Sequence, residues 1–167
     1  MTLHELNILP KDQLEQVLFN CCGSKNWVSK MCSFFPMDDL IELLNDAEEQ
    51  WYNCKDADWL QAFTQHPKIG DLQSLTIKFA STAQWASGEQ MAASTASQQI
   101  IEALATGNAV YEKKFGFIFI VCATGKSAEE MLQLLQERLP NSIAVEMNIA
   151  MEEQNKITQL RLQKLLS

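Results

Sequence analysis

Phe115 to Ala123 reads Phe-Gly-Phe-Ile-Phe-Ile-Val-Cys-Ala, the one sustained run of β-type apolar residues in the chain. By propensity this run predicts a buried strand. No second stretch offers itself as a ladder partner, so its backbone amides need other acceptors and donors. Two solutions stay open from the residues alone: an extended segment threaded through a helical core, or a segment whose backbone meets a ligand.

Helical signals dominate the rest of the chain. Pro10 followed by Leu14, Val17, Leu18 and Cys21 predicts a first helix with proline in its first turn and Gly23 beyond its end. A short helix follows from about Asn26 to Phe34, stopping before Pro36. Met37 to Cys54 carries Leu40, Leu43, Leu44, Ala47 and Trp51, an apolar stripe of period 3.6 with acids opposite, which marks a core helix. Asp58 to Phe63 reads as a short helix leading to a turn at His66. Leu72 to Ala86 has weak periodicity and predicts irregular or short helical structure. Thr95 to Lys114 predicts one helix that bends at Gly107, and Ser127 to Leu139 and Ser142 to Leu166 predict two closing helices separated by Pro140-Asn141. No repeat, low-complexity tract or linker is present, and 167 residues at 47% hydrophobic content suit one core.

The charge balance removes several function classes. A formal net charge of −8 argues against a surface that tracks phosphates, so nucleic acid is not an expected partner. No apolar run approaches the roughly 18 residues of a membrane span. The five cysteines are odd in number and lack Cys-x-x-Cys spacing, and neither histidine sits in a metal-binding pattern. Reduced thiols, no metal and a cytoplasmic location are the expectations.

His66-Pro67-Lys68-Ile69-Gly70 is the strongest chemical signal. Pro67 biases His66 toward extended backbone, and Gly70 tolerates a positive φ, so the imidazole projects from a stiff turn. A group of ordinary pKa about 6.5 held in that way suits proton transfer, although a solvated histidine ending a helix has the same spelling. Ser87-Gly88-Glu89-Gln90 has capping-box spacing; Glu89 and Gln90 either serve the helix start or face a polar ring. Arg161 shares a helix face with Ile157 and Leu165, so it either snorkels to water or turns into a pocket. Gly125-Lys126-Ser127 lacks the earlier glycine of a phosphate loop, since position 120 is isoleucine; Ser127 with Glu130 makes a capping box instead. No nucleophile elbow or activated cysteine is evident.

In their order along the chain these features resemble the 2-oxo-4-hydroxy-4-carboxy-5-ureidoimidazoline (OHCU) decarboxylase family. The likeness rests on Cys21-Cys22-Gly23-Ser24 with Trp27, the His66 to Gly70 loop, Glu89-Gln90, Asn108 with Tyr111, Phe115 to Ala123, and Lys156-Ile157 with Arg161-Leu162. The resemblance implies an all-α single domain spanning 1–167, a bundle of about eight helices with a short buried extended segment near 117–122. That expectation replaces the strand read from propensity. It further implies a cofactor-free carboxy-lyase of urate breakdown that yields (S)-allantoin, commonly dimeric, working beside a urate-oxidising enzyme and a hydroxyisourate hydrolase.

By the same resemblance His66 and Glu89 take the catalytic positions. Pro67, Gln90, Arg161 and the segment Phe117, Ile118, Phe119, Ile120 and Val121 take the substrate-binding ones. Some family members have a serine three residues before the glutamate, where this chain has Ala86. Two alternatives fit the residues read without the resemblance: a helical interaction module that tolerates change at His66, and a different cofactor-free lyase or hydrolase acting on a related ureido ring.

Overall fold

The computed structural model describes residues 1–66 and 98–167 in full and the helical backbone of 90–97. Among the described residues there are eight helices and no strand. In chain order they are α1 (Leu3–Asn7), α2 (Lys11–Cys22), α3 (Lys25–Cys32), α4 (Leu40–Tyr52), α5 (Asp56–Thr64), α6 (Gln90–Phe115), α7 (Ala128–Arg138) and α8 (Ile143–Leu165). No described helix is long and apolar enough to cross a membrane. The chain divides into two compact units, Met1–His66 with Ile149–Ser167, and Pro67–Asn148.

The first unit is built on α2 to α5 and the later turns of α8. Pro10 stands one position before α2, at its N-cap rather than in its first turn as expected. Gly23 closes the helix at φ +88°, a left-handed conformation that a β-carbon makes costly. Ser24 then caps α3, accepting from the Trp27 amide at 3.3 Å. The short α1 has no counterpart in the periodicity reading, because five residues are too few to show a period; it forms through a capping box between Thr2 and Glu5.

Three indoles tie this unit together while burying large apolar faces. Trp27 Nε1 donates to the Ala47 carbonyl at 2.9 Å, Trp51 Nε1 to the Met151 carbonyl at 2.9 Å, and Trp59 Nε1 to the Trp51 carbonyl at 3.1 Å. Each removes an otherwise unpaired indole donor from the core. Leu6, Leu18, Met31, Leu43, Ala47 and Leu162 are fully enclosed around them.

In the second unit α6 lies against α7. Gly107 permits the contact: a β-carbon there would fall 2.5 Å from Leu135 Cδ2. The glycine is therefore a point of close approach within one helix assignment, Gln90–Phe115, and not an interruption of it. The capping box expected at Ser127 and Glu130 is formed, with reciprocal bonds of 2.7 and 3.2 Å.

The apolar run after α6 is extended and buried but pairs with no strand among the described residues, as the family resemblance implied and propensity alone did not. Part of its polar backbone is served by side chains: Arg138 Nη1 donates to the Ile120 carbonyl at 2.7 Å and Lys126 Nζ to the Cys122 carbonyl at 2.8 Å. Tyr111, Phe115, Phe117 and Phe119 stack around it at centroid distances of 4.5 to 6.1 Å. The Arg138 guanidinium lies 4.6 Å from the Phe119 ring centre.

That guanidinium is balanced by Glu146, which is fully buried. Arg138 Nε and Nη2 both reach Glu146 Oε1, at 2.6 and 2.5 Å, and Asn141 Nδ2 donates to Oε2 at 2.9 Å. The Tyr111 hydroxyl also donates to Oε1. Burial, reinforced by this bond to a carboxylate, pushes the phenol well above its ordinary range.

Candidate active site

His66 follows the end of α5, its amide donating to the Phe63 carbonyl at 3.2 Å. Gly23 and the first turn of α3 meet α5 ahead of His66. Lys25 N donates to Gln61 Oε1 at 2.8 Å and Asn26 Nδ2 to Asp58 Oδ2 at 2.9 Å. A β-carbon on Gly23 would stand 2.8 Å from Gln65 Cγ and 3.3 Å from Ala62 Cα, so glycine permits the close approach of residues just before His66. Gly23, Lys25 and Asn26 thus pack against the helix that His66 follows.

The half-buried imidazole reaches across to α8. His66 Nε2 lies 2.5 Å from Gln154 Oε1, and Gln154 is itself fully buried. Gln154 Nε2 donates to the Cys22 carbonyl at 3.3 Å and to Thr158 Oγ1 at 3.2 Å. The Thr158 hydroxyl donates back to the Gln154 carbonyl at 3.1 Å. Arg161, one turn further along the same helix, donates from Nη1 to the carbonyls of Asn20 and Cys21 at 3.2 and 3.1 Å. Those carbonyls belong to the last turn of α2, where a cation is favoured.

The electrostatics favour a neutral ring. Burial lowers the His66 pKa most, the nearby Arg161 charge lowers it further, and the Gln154 bond opposes both. The neighbouring thiols are inert. Burial pushes Cys21 up to about 11 and Cys22 up to about 12, so neither supplies a thiolate near neutrality.

The structure therefore brings His66 and Arg161 into one unit and near enough for charge to be felt between them. Phe117, Phe119, Ile120 and Val121 are buried in the second unit and Ile118 is partly exposed. Gln90 opens the described part of α6, where backbone alone is described. Pro67, Lys68, Ile69, Gly70, Glu89, the Ala86 and Ser87 positions, and the irregular stretch expected over 72–86 lie outside the described residues.

Sequence reasoning missed Gln154 and Thr158. The available signal was their spacing: with Arg161 they occupy positions i, i+4 and i+7 of one helix, a polar stripe along one face.

The profile described as OHCU decarboxylase matches residues 7–163. The chain belongs to the OHCU decarboxylase family. A solved OHCU decarboxylase, crystallised in the presence of (S)-allantoin, is 38% identical and superposes with a TM-score of 0.71, covering 89% of this chain and 95% of that one. The Arabidopsis thaliana uric acid degradation bifunctional protein TTL is 41% identical over 148 residues, 88% of this chain and 45% of that protein. A Haloferax volcanii OHCU decarboxylase is 24% identical over 97% of this chain and 94% of its own. The chain spans less than half the length of the Arabidopsis protein and about a third of a Bacillus uric acid degradation bifunctional protein.

Proposed function

We propose that this chain decarboxylates 2-oxo-4-hydroxy-4-carboxy-5-ureidoimidazoline to (S)-allantoin in urate degradation, with residues 1–167 acting as one catalytic domain. The observation that carries the reading is His66: a half-buried, neutral-favoured imidazole anchored through one nitrogen, in a chain that matches the decarboxylase family from residue 7 to 163.

The substrate's carboxylate sits on a carbon that bears a hydroxyl and adjoins a ring imine. When the bond to the carboxylate breaks, carbon dioxide leaves and the electron pair enters the imine system, so the ring is its own electron sink and no cofactor is required. The imine nitrogen that receives the pair takes up a proton, the hydroxyl yields its own as the carbonyl forms, and the adjacent carbon takes up a proton on one face. His66 orients the hydroxyl and carries its proton. Glu89 stands against the carboxylate in a water-poor site, so repulsion is relieved as carbon dioxide departs.

Arg161 and Gln90 bind the polar ring and ureido groups, Pro67 shapes the turn beside them, and the backbone of Phe117, Ile118, Phe119, Ile120 and Val121 supplies further polar contacts. We assign the protein to the cytoplasm as a homodimer, beside the urate-oxidising enzyme and the hydroxyisourate hydrolase that would deliver its substrate. No nucleic acid, membrane, metal or cofactor enters this scheme.

Quantifying carbon dioxide released from substrate formed in place tests the assignment of His66. The His66→Asn variant should lose the enzymic rate while keeping its far-ultraviolet circular dichroism. Full activity in that variant refutes the role given to His66.

A further inference from the structure

We infer that Gln154 is a positioning residue that holds His66 with its proton on Nε2, so that Nδ1 is the nitrogen that exchanges a proton with substrate. The inference rests on the catalytic role proposed for His66, but the tautomer itself follows from the hydrogen-bond geometry.

An amide side chain can be placed in either of two orientations, and its partners decide between them. The Cys22 carbonyl can only accept, so the Gln154 atom 3.3 Å from it must be the NH2 group. The same NH2 meets Thr158 Oγ1, whose own proton is directed to the Gln154 carbonyl, leaving that oxygen to accept. Both observations turn Gln154 Oε1 toward His66. An amide oxygen cannot donate, so the His66 nitrogen 2.5 Å away must carry the proton.

Reversing the amide would set two acceptors against each other at Cys22 and leave a buried carbonyl unpaired. Burial and the Arg161 cation on α8 disfavour the doubly protonated form, against the opposing Gln154 bond. In the neutral ring that results, the lone pair lies on Nδ1. A proton taken from the substrate hydroxyl must arrive there, as Nε2 is occupied by Gln154. The buried stripe of Gln154 and Thr158 thereby presets the base, in the way that an outer partner commonly sets a histidine's tautomer.

The chain has two histidines, so imidazole nitrogens are readily assigned in ¹⁵N-labelled protein with His66→Asn as the key. At pH 8, long-range proton–nitrogen correlation should show His66 Nδ1 pyridine-like and Nε2 pyrrole-like, while His4 gives values averaged between tautomers. In Gln154→Leu the His66 signals should move toward the averaged pattern, with kcat falling at least about tenfold and KM within about twofold. In Gln154→Glu, which keeps an acceptor toward Nε2–H and adds a negative charge, the His66 titration midpoint should rise by about one unit or more.

A wild-type His66 protonated on Nδ1 overturns the inference. So do unchanged His66 signals in Gln154→Leu, or a Gln154→Glu midpoint at or below the wild-type one. The wild-type spectrum needs no variant to fold. If it shows the assigned tautomer in a protein that releases no carbon dioxide from the proposed substrate, the functional reading fails and the tautomer assignment stands.

Discussion

Replacing Arg138 by methionine is the most demanding test of how the second unit is held together. The substitution keeps the length of the apolar stem but removes the charge that faces Glu146, a carboxylate with no exposed surface. Glu146 Oε1 would lose both guanidinium bonds, keeping only the Tyr111 hydroxyl, and Oε2 would keep Asn141. The Ile120 carbonyl would lose the Nη1 donor as well. Stranding a buried charge in this way costs about 3 to 5 kcal/mol, and an unpaired buried carbonyl about 1 to 3 more when water cannot reach it. For a chain of this size each kcal/mol lowers Tm by about 2 to 4 °C, so a drop of roughly 10 °C or more is expected.

Urea and thermal unfolding of Arg138→Met, Glu146→Leu and the double variant would measure the coupling. The double variant should be more stable than the sum of the two singles by about 1 kcal/mol or more, because removing both charges leaves none stranded. A loss below about 1 kcal/mol in Arg138→Met, or strict additivity in the double variant, would refute the reasoning.

Other perturbations have equally definite outcomes. Gly23→Ala forces a left-handed φ on alanine and pushes its β-carbon against Gln65, so it should cost about 1 to 2 kcal/mol in urea unfolding and lower the decarboxylation rate by displacing the His66 turn. The native His66 pKa is lowered, so the unfolded chain binds more protons at this position; stability should be fullest above about pH 6.5 and fall as pH drops through the native pKa, a component that His66→Asn lacks when compared by urea titration. Native alkylation at pH 8 followed by mass spectrometry should modify the half-exposed Cys32 first, with Cys21, Cys22 and Cys54 protected by burial and by pKa values pushed up to about 11, 12 and 11.

The helices were legible because their signals are local. The stripe through Leu43, Ala47 and Trp51 needs no knowledge of its partners, and the Ser127 and Glu130 cap is complete within one turn. The run at 117–122 was legible as buried and as lacking a ladder partner, but not for what serves its backbone instead, because Arg138 on Ile120 and Lys126 on Cys122 include a side chain eighteen residues away. His66 was legible from its proline and glycine neighbours. Its partner was not: Gln154 lies 88 residues on, and no spacing rule links a glutamine on one helix to a histidine after another. Arg161 stood out as a charge on an apolar helix face, although its bonds to the α2 carbonyls depended on how α8 meets α2.

The most direct measurement follows allantoin by circular dichroism while urate is converted by a urate-oxidising enzyme and a hydroxyisourate hydrolase in the presence of this protein. The account predicts a rapid signal of single sign, that of (S)-allantoin, which disappears with His66→Asn. A signal that grows no faster with the protein than by spontaneous decay, or that is racemic from the start, would contradict it.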